Sequence, residues 1–223
     1  MITTVLIDVD NTILDFSQCA KSSIKKAFFD YGLCFSNAVM PAFHRINNSL
    51  WQKLENGDIT KDDLYSVRFN LIFKELQIDL DGVEFERKFR SNLFTSCDPV
   101  EGAYDFLCYL SKKYILCTAS NSSYSQQKSR LEKAGMLKFF KHIFVSEDIG
   151  FSKPNVNFFS ECHKRLGNIP KSELIMIGDS QTADILGAKE FGIKCCWFNY
   201  KGTDEKSGAD YQINSLSEIK NFL

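Results

Sequence analysis

A chain of 223 residues with 44% hydrophobic and 25% charged residues has the balance of an ordinary globular protein, long enough for one sizeable core or for a core domain carrying a smaller insert, and it excludes a disordered or fibrous chain. The formal net charge is -1 and the isoelectric point about 6.3, so no global basic field is available to hold a nucleic-acid polymer by counterion release. No apolar run approaches the roughly 20 residues that span a bilayer, and the opening MITTVLIDVD reaches aspartates before a signal-peptide core forms; a cytoplasmic protein without a membrane partner, monomeric or homodimeric, is the expectation.

The first element is an apolar strand over residues 3 to 8, running directly into Asp8-Val9-Asp10-Asn11-Thr12. A strand puts side chains 8 and 10 on one side, so two carboxylates converge at the carboxyl end of a sheet, where open α/β folds bind ligands. Paired like charges invite a cation, and one carboxylate can act as nucleophile while its neighbour serves as general acid and then base. A solvated acidic turn is the competing reading of the same residues, with equal weight when they are taken alone.

From about residue 17 to 96 no strand pattern is present and the apolar spacing is helical. Leu64, Val67, Leu71 and the run Phe73 to Leu76 suggest one helical face, and Thr60 with Asp63 forms a variant capping box with Asp in place of Glu. The Cys97-Asp98-Pro99 turn closes this insert, because a residue preceding proline tends away from helix.

Beyond residue 98, strand-like runs at 114 to 118, 143 to 145, 174 to 177 and 194 to 198 alternate with helical patterns at 100 to 112, 122 to 134, 155 to 166 and 181 to 191. That alternation predicts an α/β core, a Rossmann-like parallel sheet. Cys117, Cys195 and Cys196 fall in the predicted strands and the eight cysteines include no CxxC, so buried reduced thiols are expected and not a disulfide scaffold or metal cluster.

Three more strand ends carry polar groups. Thr118-Ala119-Ser120-Asn121 offers donors at a helix start, suited to a phosphoryl oxygen or, taken alone, simply to capping. Lys153, before Pro154, can offset the repulsion between a carboxylate nucleophile and a phosphate, although a single lysine is ordinarily a solvated surface group. Gly178-Asp179-Ser180 places Asp179 as a hard oxygen ligand for Mg2+, with Asp184 orienting it from behind; the alternative makes Asp179 a helix cap and Asp184 a surface residue.

Taken in order, DxDNT, a strand ending in TxS, KP and GDSxxxxD resemble the four-motif signature of haloacid dehalogenase (HAD) superfamily phosphatases over essentially the whole chain. The resemblance implies a core of residues 1–16 and 97–223 with a helical cap of residues 17–96. It also implies Asp8 as the nucleophile that forms an aspartyl phosphate and Asp10 as acid/base. Thr118 and Lys153 would hold the phosphoryl group, with Ser120 and Asn121 beside it, and Mg2+ would be bound by Asp8, the Asp10 carbonyl and Asp179.

Segments such as Asn48 to Trp51, Glu55 to Thr60, Val145 to Gly150 and Ala183 to Gly187 are similar to the bacterial non-canonical pyrimidine 5′-nucleotidases, which implies a nucleoside 5′-monophosphate substrate. Two departures stand out: Thr-Ala-Ser-Asn where those nucleotidases have Thr-Asn-Gly, and Asn11 where phosphatases commonly have glycine. Substrate choice is expected in the cap, where Trp51, Arg68 and Phe69 offer aromatic faces and a cation; packing of the helical insert competes for Trp51 and Phe69, and an ion pair with Asp62 or Asp63 for Arg68. A phosphatase of sugar phosphates or phosphoglycolate, or a phosphomutase, shares the motifs. A 2-haloacid dehalogenase would not need Asp10 or Asp179, and a catalytically silent HAD shell would be expected to have lost a charged group.

Overall fold

The computed structural model describes all 223 residues. Its strands are β1 (Thr4–Ile7), β2 (Ile115–Ser120), β3 (His142–Val145), β4 (Leu174–Gly178), β5 (Lys194–Phe198) and β6 (Tyr211–Ile213). Helices α1 (Phe16–Asp30), α2 (Val39–Glu55), α3 (Lys61–Leu76) and α4 (Gly82–Leu93) precede α5 (Ala103–Leu110), α6 (Tyr124–Lys133), α7 (Ser146–Ile149), α8 (Val156–Arg165) and α9 (Gly187–Phe191). The chain divides into two compact units, Met1–Phe16 with Cys97–Leu223, and Ser17–Ser96.

In the first unit all six strands form one parallel sheet in the order β3-β2-β1-β4-β5-β6. Both faces are covered, which is why the strands read as continuous apolar runs instead of alternating ones. Val5, Ile7, Ile175 and Ile177 pack with Leu107, Leu110 and Leu131 on one face; Leu6, Cys117 and Met176 pack with Phe158, Phe159 and Ala188 on the other. Each such fully buried aliphatic side chain contributes roughly 1.5–3 kcal/mol. The five apolar runs expected as strands all form strands. The sixth, β6, has three residues, too few to display a period, and exists through its pairing with β5.

The strand order reverses at β1, which therefore lies at the topological switch point where ligands bind in such sheets. Beyond β1 the two connections to the insert lie side by side: Asp15 N donates to the Asp98 carbonyl at 2.8 Å and Val100 N to the Ile13 carbonyl at 3.1 Å. Backbone pairing thus closes the first unit across the excursion.

The second unit is all helical. Thr60 and Asp63 form the reciprocal capping box that starts α3, with Thr60 N donating to Asp63 Oδ2 at 2.9 Å and Asp63 N to Thr60 Oγ1 at 3.1 Å. The inward face of α3 differs from the expected one: Leu64, Arg68, Phe69, Ile72 and Phe73 are buried, whereas Val67 and Leu71 are exposed. An arginine turns inward because the Glu86 carboxylate and the Asn47 amide receive it (2.5 and 2.7 Å) inside a shell of Phe43, Phe69 and Phe89 rings.

All eight cysteines are free thiols, and burial pushes those of Cys117 and Cys196 up to about 12, which suits packing and not nucleophilic chemistry. No helix is long and apolar enough to cross a membrane.

Candidate active site

At the end of β1, Asp8 N donates to the Ile177 carbonyl (2.9 Å), extending the pairing with β4 by one residue and carrying the Asp8 side chain to the sheet's carboxyl edge. The chain then turns sharply, Ile13 N and Leu14 N both donating to the Val9 carbonyl. Asn11 sits in this turn at φ 64°, a left-handed conformation open chiefly to glycine and asparagine. Either residue therefore satisfies the backbone, and Asn11 in place of the commoner glycine costs the turn little. Thr12 Oγ1 donates to Asp8 Oδ2 at 3.3 Å.

At the end of β4, Ser180 caps the next turn by accepting from Ala183 N, and Ser180 N donates to Asp184 Oδ2 at 3.0 Å. The turn over Gln181–Leu186 is a π-helix, a wide turn that recurs at functional sites, and it swings Asp184 back over the strand. A β-carbon on Gly178 would lie 2.1 Å from Asp184 Oδ2, so only glycine leaves space for that carboxylate. Trp197 of β5 donates from Nε1 to the Asp179 carbonyl at 2.8 Å.

Lys153 completes the cluster. Its Nζ lies 2.7 Å from Asp8 Oδ1 and 2.6 Å from Asp184 Oδ1, and the side chain is buried. Asn121 grips the lysine's own backbone from both sides, its Nδ2 donating to the Lys153 carbonyl and its Oδ1 accepting from Lys153 N, each at 2.8 Å. Asn121 therefore sets the position of Lys153.

Carboxylate oxygens of Asp8, Asp179 and Asp184 lie within 4.8 Å of one another. Burial raises the Asp8 carboxyl from 3.8 to about 7 against the pull of Lys153, with Asp184 and Asp10 adding to the rise. Burial, Asp8 and Asp184 likewise hold Asp179 well above the usual carboxylate range. For Lys153 burial acts downward, but Asp184 and Asp8 outweigh it and keep the ammonium strongly charged. Three carboxylates facing one ammonium leave a deficit of positive charge among hard oxygen donors, a set that fits Mg2+.

Two expected groups are placed differently. Thr118 is level with Ile7, one residue short of Asp8, and its buried hydroxyl donates to the Phe144 carbonyl of β3 at 3.2 Å; the backbone takes this hydroxyl. Ser120, on the same side two residues further, sits at the sheet edge. In the second unit, Arg68 and Phe69 are interior residues of the helical core, and of the three cap candidates only Trp51 on α2 retains surface, half-buried.

Two further polar residues converge on the site. Arg130 Nη1 lies 2.6 Å from Asp10 Oδ1, and Gln127 Nε2 donates to Asp10 Oδ2 and to Ser120 Oγ, both at 2.8 Å. On α6 the inward positions are Gln127, Arg130 and Leu131, so polar side chains stand where a helix facing a core ordinarily has apolar ones, and only this inward orientation, which the sequence does not fix, separates them from surface residues.

Residues 5–198 match the model of the haloacid dehalogenase-like hydrolase family. The chain belongs to this family. Among HAD-like relatives, it is 34% identical to the HAD-hydrolase YfnB of Bacillus subtilis (strain 168) over 222 residues, covering 99% of this chain and 94% of YfnB. The crystal structure of magnesium-bound YfnB superimposes with a TM-score of 0.94 over 99% of this chain and 97% of that one. Pyrimidine 5′-nucleotidase PynA of Streptococcus pneumoniae (strain ATCC BAA-255 / R6) is 28% identical, covering 98% of this chain and 94% of PynA. A glyceraldehyde 3-phosphate phosphatase of Methanothermobacter thermautotrophicus is 29% identical over the full length of both chains. The HAD-like assignment agrees with the parallel sheet and with the acidic cluster at its switch point.

Proposed function

We propose that this HAD-like hydrolase cleaves phosphomonoesters through an aspartyl phosphate on Asp8, and that its substrate is a pyrimidine nucleoside 5′-monophosphate. The observation that carries the reading is the contact of Lys153 Nζ with both Asp8 and Asp184 at the switch point of the sheet. A carboxylate nucleophile held by a buried ammonium can approach a phosphate dianion that it would otherwise repel.

Asp8 attacks phosphorus, the bond from phosphorus to the ester oxygen breaks, and Asp10 delivers a proton to the departing oxygen. Asp10 then accepts a proton from the water that attacks the aspartyl phosphate, releasing inorganic phosphate and restoring Asp8. Lys153 offsets the charge on the phosphoryl oxygens, and Ser120, in place of Thr118, donates to one of them. Asp8, the Asp10 carbonyl and Asp179 would hold Mg2+, with Asp184 oriented by Ser180 N and Lys153. When bound, the ion adds positive charge against the phosphoryl group.

Similarity to PynA supports a nucleotide, with half-buried Trp51 as the base-stacking candidate. Similarity to the glyceraldehyde 3-phosphate phosphatase supports a second reading, a triose or sugar phosphate. Phosphate release from a panel of nucleoside monophosphates and sugar phosphates with Mg2+, with Asp8→Asn run in parallel, decides between them. Selective, Asp8-dependent hydrolysis of pyrimidine monophosphates is expected; a preference for sugar phosphates would overturn the substrate and keep the chemistry, and activity surviving in Asp8→Asn would overturn the chemistry.

A further inference from the structure

We infer that Arg130 and Gln127 are positioning residues that clamp Asp10 in its acid/base pose, an inference that rests on the acid/base reading of Asp10 above. The two lie three apart on α6, hence on one helix face. Arg130 Nη1 holds Asp10 Oδ1 at 2.6 Å, Gln127 Nε2 holds Asp10 Oδ2 at 2.8 Å, and Arg130 Nη1 also donates to Gln127 Oε1 at 3.2 Å. Both oxygens of one carboxylate are thereby fixed by two side chains that fix each other. The Asp10 side chain remains 29% exposed while that of Arg130 is 0% exposed.

Each carboxylate oxygen has two lone pairs, so the clamp sets the rotamer and leaves acceptor capacity for the proton that Asp10 must pass in both half-reactions. Gln127 Nε2 donates in addition to Ser120 Oγ at 2.8 Å, which ties the acid/base to the hydroxyl assigned to the phosphoryl group. Burying an arginine costs desolvation that its partner must offset, and here the Asp10 carboxylate is that partner. A catalytic group displaced by about 1 Å loses on the order of a hundredfold in rate.

The test compares two esters on the full chain with saturating Mg2+: p-nitrophenyl phosphate, whose leaving group departs without a proton, and uridine 5′-monophosphate, or glyceraldehyde 3-phosphate if the panel selects it, whose alkoxide requires one. The ratio of kcat/KM for the alkyl ester to that for the aryl ester is taken on one preparation, so the folded fraction cancels. In Arg130→Met and Gln127→Leu this ratio should fall by roughly tenfold or more, approaching the loss in Asp10→Asn, since general acid catalysis contributes about 10²–10⁴-fold. With the aryl ester kcat and KM should fall together, because water attack slows while formation of the aspartyl phosphate does not. Arg130→Lys should recover part of the ratio. If the ratio in Arg130→Met and Gln127→Leu stays at the wild-type value while Asp10→Asn lowers it, the clamp is overturned and the pair only packs. If Asp10→Asn itself leaves the ratio unchanged, Asp10 is not the acid and both readings fall, a pattern distinct from failure of the clamp alone.

Discussion

At Gly178 a single hydrogen in place of a methyl group decides whether Asp184 has room. Because a β-carbon there would meet the Asp184 carboxylate at 2.1 Å, Gly178→Ala should displace Asp184 and loosen its hold on Lys153; a loss of about 1–3 kcal/mol in urea unfolding and a raised Mg2+ requirement are expected. Lys153→Met should cut kcat/KM for any phosphomonoester by at least the roughly 10²–10³-fold that one electrostatic contact supplies, and steady-state kinetics on p-nitrophenyl phosphate check it. At this scale Asp8 and Asp179 are legible because each directly follows a strand, and Lys153, which follows α7 and not a strand, is legible from the proline beside it. For the hydroxyl the sequence does not decide, because Thr118 and Ser120 fall on the same side of β2, and the choice between them depends on where the Phe144 carbonyl lies. Gln127 and Arg130 are not legible at this scale, because a surface helix and a helix aiming polar groups at a site look alike until its neighbours are known.

The elements show the same limit in another form. Strand positions follow from continuous apolar runs and the start of α3 from its capping box, both local signals. The rotation of α3 about its axis does not, because Arg68 occupies a core position that only Glu86, eighteen residues away, makes tenable. Burial raises the Glu86 carboxyl even though Arg68 opposes the rise, so this pair is held in a poorly solvating interior. Removing one partner of a buried pair costs about 3–5 kcal/mol; Glu86→Ala is therefore expected to lower the unfolding free energy by that order in denaturant titration. Leu71, exposed on the same helix, predicts the reverse: Leu71→Lys should change stability by no more than about 0.5 kcal/mol.

For the whole molecule, the acidic cluster couples stability to pH and metal. The fold raises Asp8 from 3.8 to about 7, chiefly by burial, and Asp179 moves in the same direction. The metal-free folded protein thus retains protons that the unfolded chain has released, and its stability declines as pH rises from about 4 to about 7. Lys153, displaced upward, stays charged throughout this window and adds no slope. Thermal melts in EDTA should show a lower Tm at pH 7.5 than at pH 5, with the difference reduced in Asp8→Asn. Excess Mg2+ should restore the Tm at the higher pH, adding about 2.7 kcal/mol of unfolding free energy at a hundredfold excess over Kd; a pH slope identical in wild type and Asp8→Asn would contradict this. The residues alone determined the α/β class, five of the six strands and the chemical types at their ends, because side-chain period, apolar runs and turn residues act over a few positions. The tertiary structure alone decided which hydroxyl reaches the sheet edge, which face of α3 is buried, and that Arg130 closes on Asp10 across 120 residues, because these depend on the distance and orientation of groups that local signals do not relate.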